Sequence, residues 1–416
     1  MKYSGLLNIL ILVILVSIFL FTPFSEYKRM VFFGVLVLLW LVSSIVYNRN
    51  AMLDTVPMIV ILFFMMIIQF IYSTFPGNND EFRRFFTRFL LTYVWGVLGV
   101  FYASNIDLFK KSIPFLAIMV SVSCIYTIIG NLAIPNASRL LAGTEQEGDV
   151  MYSVIRSMNI GGYDFIYALV FALIPGVLWY KNRLDFRVLS LLFIILVFGT
   201  LIVGSYFTSI ILATVAVFLS VSSIKKKSSS IVVFCLLLFL LFSLKEIILQ
   251  GLIDFGAAID SHMLQMRAQE ILDGSYQEEA EATGQYSRID RIKNALFNIS
   301  QSPLFGRMTS QPLNYRVSGH SELLGYFERY GVIGLLYLFY YYSIYKRIHK
   351  KATTNEMKRN ISILFILFFV FLFLNTFDVA NATGCMVFLI APCTMLYIEK
   401  RLKDNNASYH IAGGRY

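Results

Sequence analysis

The sequence predicts an all-α polytopic membrane protein of about twelve transmembrane helices with one large outer loop. Three observations lead there. Hydrophobic residues make up 57% of the 416 positions and charged residues only 14%, whereas a soluble domain carries about 25% charge. Apolar runs long enough to cross a ~30 Å hydrocarbon core recur along nearly the whole chain. They are continuous rather than alternating, which favours helices over a β-barrel. Finally, Lys and Arg gather in every second short connection, as in a chain threaded back and forth across a membrane.

Taken in order, the expected spans cover residues 5–24, 28–47, 55–75, 84–103, 112–134, 162–180, 187–204, 206–223, 230–250, 321–345, 360–377 and 382–399. The first follows Lys2, lacks a small-x-small cleavage site and is followed at once by further spans, so it reads as a retained helix. With the N-terminus inside, the cytoplasmic segments hold more than half of the 35 basic residues. Among them are Lys110 and Lys111, Lys225 to Lys227, the group from Lys346 to Arg359, and Lys400, Arg401 and Lys403. This bias places both termini in the cytoplasm and accounts for the net charge of +10 without a nucleic-acid partner. The chain divides into nine spans (1–250), an extracytoplasmic loop with short helices (251–320), three more spans (321–400) and a cytoplasmic tail (401–416). Cys124, Cys235, Cys385 and Cys393 sit within apolar runs at no metal or disulfide spacing and read as inert packing residues.

Some basic residues fall on the outer side, against the topology rule: Arg83, Arg84 and Arg88, then Arg139 and Arg156, then the series Arg288, Arg291, Lys293, Arg307 and Arg316. An anionic ligand gives such residues a reason to be there. For Arg139 the preferred reading is pairing with Glu145, Glu147 or Asp149. The large loop itself has an acidic first half, DGSYQEEAEATG, and a basic, patterned second half. Ile289, Ile292, Leu296 and Ile299 recur at helical spacing, predicting a short interfacial helix with Arg288 and Arg291 side by side at its edge. Ser302-Pro303 ends it and Gly306 permits a tight turn. His320 then heads an apolar run carrying Gly331 and Gly334, which suit close helix packing. Several cations and one titratable base at a membrane surface suit a lipid-linked phosphate.

At these residues the chain resembles the bacterial O-antigen polymerase (Wzy-type) and O-antigen ligase superfamily. The resemblance rests on Arg288 opening a helix, on Ser302-Pro303-Leu304-Phe305-Gly306, on His320-Ser321-Glu322-Leu323 and on Gly331-Val332-Ile333-Gly334. Arg156 before Gly161-Gly162-Tyr163 is similar to a second family element, and the layout with the main loop between the ninth and tenth spans matches as well. One departure is plain: where members often carry Ser-Arg, this chain has Gly204-Ser205-Tyr206-Phe207-Thr208-Ser209, so no phosphate site is carried over there.

The resemblance implies a membrane glycosyltransferase C-type bundle in the bacterial inner membrane. It implies transfer of a glycan from an undecaprenyl-diphosphate-linked oligosaccharide to a sugar hydroxyl, without metal or other cofactor. Such a donor brings its own leaving group, so the enzyme has to deprotonate the acceptor and offset charge on the diphosphate. Arg288, Arg291, Arg156 and Arg316 suit the second task through their planar donor forks. His320 suits the first; its structural alternative is to cap its own helix or bond Glu322. Glu322, Glu328 and Asp378 are candidates for lining the acceptor cavity. Glu328 reads equally as one half of a buried ion pair two turns into the tenth span, and Asp378 equally as ordinary loop chemistry. Tyr340, Tyr341 and Tyr342 read as anchors at the inner interface. No GxxxxGKS or GxGxxG motif offers a nucleotide site. A polymerase of O-antigen or capsular repeat units, working with membrane lipids and a chain-length regulator, is the leading expectation. The alternatives are a ligase that moves finished glycan onto lipid A core, and a lipid-linked oligosaccharide flippase. Against the flippase, the two halves show no internal repeat.

Overall fold

The computed structural model of the chain describes residues 2–23, 30–74, 92–134, 137–141, 150–182, 184–204, 206–222, 245–258, 265, 269, 288–306, 321–374 and 381–413. Of the described residues 89% are helical and none is in a strand. First come α1 (Lys2–Leu20), α2 (Met30–Tyr47), the short α3 (Arg49–Leu53) and α4 (Val56–Ser73). Next are α5 (Val94–Ala103), α6 (Ile106–Phe109), α7 (Ile113–Ala133), α8 (Ala137–Leu140) and α9 (Val150–Ser157). The middle of the chain forms α10 (Tyr163–Lys181), α11 (Arg187–Val203), α12 (Phe207–Val221), α13 (Lys245–Ala258) and α14 (Arg288–Gln301). The last part forms α15 (Glu322–Tyr330), α16 (Leu335–Lys351), α17 (Asn355–Leu374), α18 (Asn381–Cys385) and α19 (Ala391–Gly413).

Among the described residues six helices are long and apolar enough to cross a membrane: Tyr3–Leu20, Val56–Ser73, Ile113–Ala133, Tyr163–Lys181, Asn355–Leu374 and Ala382–Asn405. Four shorter apolar helices stand beside them, Phe32–Tyr47, Val94–Ala103, Arg187–Val203 and Thr208–Val221. Local chemistry starts several of them. Pro57 and Pro114 occupy the first turns of α4 and α7, where a missing N–H costs nothing. Asn48 caps α3 by accepting from the Ala51 N–H at 3.1 Å.

Burial separates the middle of the bundle from its coat. All ten residues of α5 are buried, as is 78% of α10 and 89% of the closing span. Only 28% of α4 and 33% of α7 are buried. The outer faces of these helices present Phe63, Phe64, Phe70, Ile118 and Leu132 outward, an apolar coat too extensive for water and suited to lipid. Cys124, Cys385 and Cys393 are buried free thiols, as read from the sequence; Cys235 lies outside the described residues.

Basic segments assigned from sequence to one side gather at one end of the bundle. There Lys351 pairs with Asp54 at 2.8 Å and Lys181 with Glu356 at 2.9 Å. Lys400 and Lys110 both reach Asp107, and Arg401 reaches Asp185.

Three boundaries differ from the sequence expectation. α13 runs through residue 250, where the loop was expected to begin. The last helix, with a π-helical turn at Met386–Ile390, continues to Gly413, so the expected tail is helical over most of its length. The expected tenth span, 321–345, is not one helix. A 3₁₀ turn at Gly331–Gly334 separates α15 from α16, and Tyr326 stacks on Tyr337 with centroids 4.2 Å apart. In a straight helix those positions would be roughly 16 Å apart along the axis. The chain therefore turns sharply, and α15 folds back over the start of α16.

Candidate functional site

The region built from α14, its following turn, α15 and the bend holds most of the sequence-derived candidates. α14 forms as its spacing predicts, but its buried face is displaced from the expected stripe. Ala295 and Asn298 are buried, while Leu296 is 53% exposed and Phe297 63% exposed. The cause is a polar partner: Asn298 Nδ2 donates to Glu328 Oε1 at 2.7 Å in a buried contact across thirty residues of sequence. Glu328 thus accepts a hydrogen bond from a neutral amide, and it lies on a short helix before the bend rather than two turns down a continuous span.

Beyond α14 the segment Ser302-Pro303-Leu304-Phe305-Gly306 closes as a turn, with Gly306 N–H donating to Ser302 O at 2.9 Å. Gly306 adopts φ +67° and Gly331 φ +57°, conformations in which a side chain is strained. Both also sit where a Cβ has no room. At Gly306 it would lie 2.3 Å from the Arg329 carbonyl oxygen, and at Gly331 2.5 Å from the Leu304 carbonyl carbon. Val332 N–H donates to Pro303 O at 2.8 Å. Turn and bend are thus interlocked, backbone against backbone. Gly334 serves the bend from within, packed against the Tyr326 carbonyl.

α15 starts with its own cap: Ser321 Oγ accepts from Leu324 N–H at 3.3 Å. Glu322, in the first turn, is buried and lies within electrostatic reach of Tyr326 and Tyr341. Behind it stands a tyrosine cluster. The Tyr326 and Tyr341 hydroxyls are 2.8 Å apart, Gln69 Nε2 donates to the Tyr337 hydroxyl at 3.0 Å, and the Tyr340 hydroxyl donates to Tyr93 O. Tyr340 and Tyr341 are wholly buried, and only Tyr342 is exposed. The expectation of three interfacial anchors is therefore corrected for two of them: Tyr340 packs against Tyr93 and Gly96 at the α5 face, Tyr341 packs among Tyr326, Phe368 and Phe388, and their hydroxyls find partners inside.

At the same end, Asp164 in the first turn of α10 accepts from Ala382 N–H at 2.8 Å and Thr383 N–H at 3.0 Å. It closes the start of the last helix, a role invisible in local sequence because its partners lie 218 and 219 residues away. Gly161 N–H donates to Thr127 Oγ1 at 2.9 Å, which fixes the polar turn that follows Arg156. Arg156 itself is exposed on α9, and Arg139 lies over the Tyr206 ring at 5.5 Å.

Arg288 and Arg291 lie on the first turn of α14, but their side chains are outside the described residues, as are His320, Arg316, Asp378 and the Arg83, Arg84 and Arg88 group. The structure brings the α14 helix, Glu328 and the bend together. Among the described residues no three His, Cys, Asp or Glu side chains are grouped as metal ligands would be. Comparison with family models, curated proteins and solved structures finds no match to this chain.

Proposed function

We propose that this membrane protein is a metal-independent glycosyltransferase that polymerises polyprenyl-diphosphate-linked oligosaccharide repeat units at the outer face of a bacterial inner membrane. One observation carries the reading. The two glycine-bearing elements that prompted the resemblance, Ser302 to Gly306 and Gly331 to Gly334, are interlocked in space. That contact sets the helix carrying Arg288 and Arg291 against the helix that directly follows His320. A second observation supports His320 as a base: the N-cap of α15 is Ser321, so the capping role that His320 would otherwise fill is already taken.

In this reading Arg288, aided by Arg291, Arg156 and Arg316, grips the diphosphate, and His320 takes the proton of the acceptor hydroxyl. Preorganised cations act most strongly where charge develops on a leaving group shielded from water. With both termini cytoplasmic, the site faces outward, and a C-terminal tag should resist external protease in intact spheroplasts.

Purified protein supplied with a lipid-linked repeat unit tests the assignment. His320→Ala should bind donor normally and lose about 10²–10⁴ in turnover. Arg288→Ala should weaken donor binding, and Arg288→Lys should restore it only in part, because a point charge lacks the fork. Near wild-type turnover by a folded His320→Ala variant would remove the base. A deletion strain separates the related activities. Single-repeat caps indicate a lost polymerase, whereas polymer stranded on its carrier indicates a lost ligase. Turnover in detergent, with no second compartment, excludes a flippase.

A further inference from the structure

We infer that Glu328 is a positioning residue, which through Asn298 holds α14 at a fixed orientation to the helix following His320. The inference deepens the proposed transferase reading and rests on it for its kinetic outcome. The backbone interlock at residues 303–306 and 329–332 fixes α14 only near its C-terminal end. One fixed point leaves a helix free to swing. Asn298, a turn before that end, supplies the second, through a buried directional bond to Glu328 at 2.7 Å. Ala295 on the same face adds packing without direction.

Arg288 lies ten residues before Asn298, roughly 15 Å along the helix axis. With the pivot a turn further on, at the Gln301 end, the arm is roughly 20 Å and a swing of about 10° would move it by roughly 3–4 Å. A misplacement of about 1 Å in a reacting assembly can cost on the order of 10² in rate. The bond needs an acceptor oxygen at position 328, which a carboxamide also provides. A carboxylate acting as acid, base or counter-ion would be lost in the same exchange.

The experiment reads geometry and turnover separately. In protein with Cys124, Cys235, Cys385 and Cys393 replaced by serine, Phe297→Cys and Phe339→Cys place spin labels at exposed positions on α14 and α16. The expected result is a broadened interlabel distance distribution in E328A and in N298A, and a wild-type distribution in E328Q. With lipid-linked donor, E328A and N298A should each lose about 10² in turnover, the double variant no more than either, and E328Q should keep at least about a third. The pH–rate profile of E328Q should match wild type. An E328Q variant as impaired as E328A, or an unchanged distance distribution in E328A, overturns the inference. Should E328A fail to fold, N298A carries both readouts. If the wild-type protein turns over no lipid-linked glycan, the transferase reading fails, and the distance measurement alone decides whether Glu328 orients α14.

Discussion

The two ends of the bundle use their carboxylates differently. At the basic end, Asp54, Asp107, Asp185 and Glu356 each face a lysine or arginine from another segment. These pairs are open to solvent; the Lys351 and Asp54 side chains are 36% and 42% exposed. At the other end, Asp164 and Glu328 accept from backbone N–H groups and from a side-chain amide, in part-buried and buried contacts. Exposed ion pairs tolerate many geometries and are each worth little. Directional bonds from neutral donors, and backbone packed against backbone, tolerate few. Among the described residues the first end is tied mostly by charge, although buried Glu399 there also accepts from the Thr353 and Thr354 N–H groups, and the second is tied by directional bonds.

Substitutions test that contrast in descending order of effect. Gly331→Ala should be the most damaging, since it adds left-handed strain of about 1–3 kcal/mol to a Cβ overlap with Leu304 backbone. A loss of at least about 3 kcal/mol should appear as a large fall in melting temperature in detergent. A melting point within about 2 °C of wild type would mean that the interlock is not tight. Asp164→Ala should cost about 1–2 kcal/mol as a lost helix cap, with Asp164→Asn in between; equal stability of all three proteins would show the cap to be idle.

Lys351→Met should do least, at most about 1 kcal/mol, and less in high salt. Its pH dependence has a defined sign. The Lys351 ammonium bonded to Asp54 holds that carboxyl below its usual range. The pair's contribution is thus fully present above the unfolded aspartate value of about 3.9 and fades as pH falls through the lowered folded value. Wild type and Lys351→Met should converge in stability in acid and separate at neutral pH. A gap that widened on acidification would contradict the pairing.

Much of this architecture could be read from residue order. The apolar runs give the helices, the basic clusters assemble at one end, and Ile292 to Ile299 form a helix that a proline-containing turn ends. What escaped reading depended on partners distant in sequence. Gly331-Val332-Ile333-Gly334 sits inside an apolar run compatible with a straight helix, and it bends because Pro303 and Leu304 occupy the space beside it. Tyr340 and Tyr341 look like interfacial residues until Tyr93 is seen against the first and Tyr326 with Phe388 against the second. The buried face of α14 follows Asn298 rather than Leu296, because a buried glutamate faces that side. Asp164 resembles any acidic residue in a first helical turn.

That last residue bears on how the protein is made. Asp164 meets the backbone of Ala382 and Thr383, so its carboxylate acquires these partners only after more than two hundred further residues have left the ribosome. At about 5–20 residues per second this delay is roughly 10–45 s. Gln69 waits still longer for Tyr337, 268 residues downstream. During that interval Asp164 and Gln69 lack these particular partners, and this part of the fold is completed only when the final helices arrive.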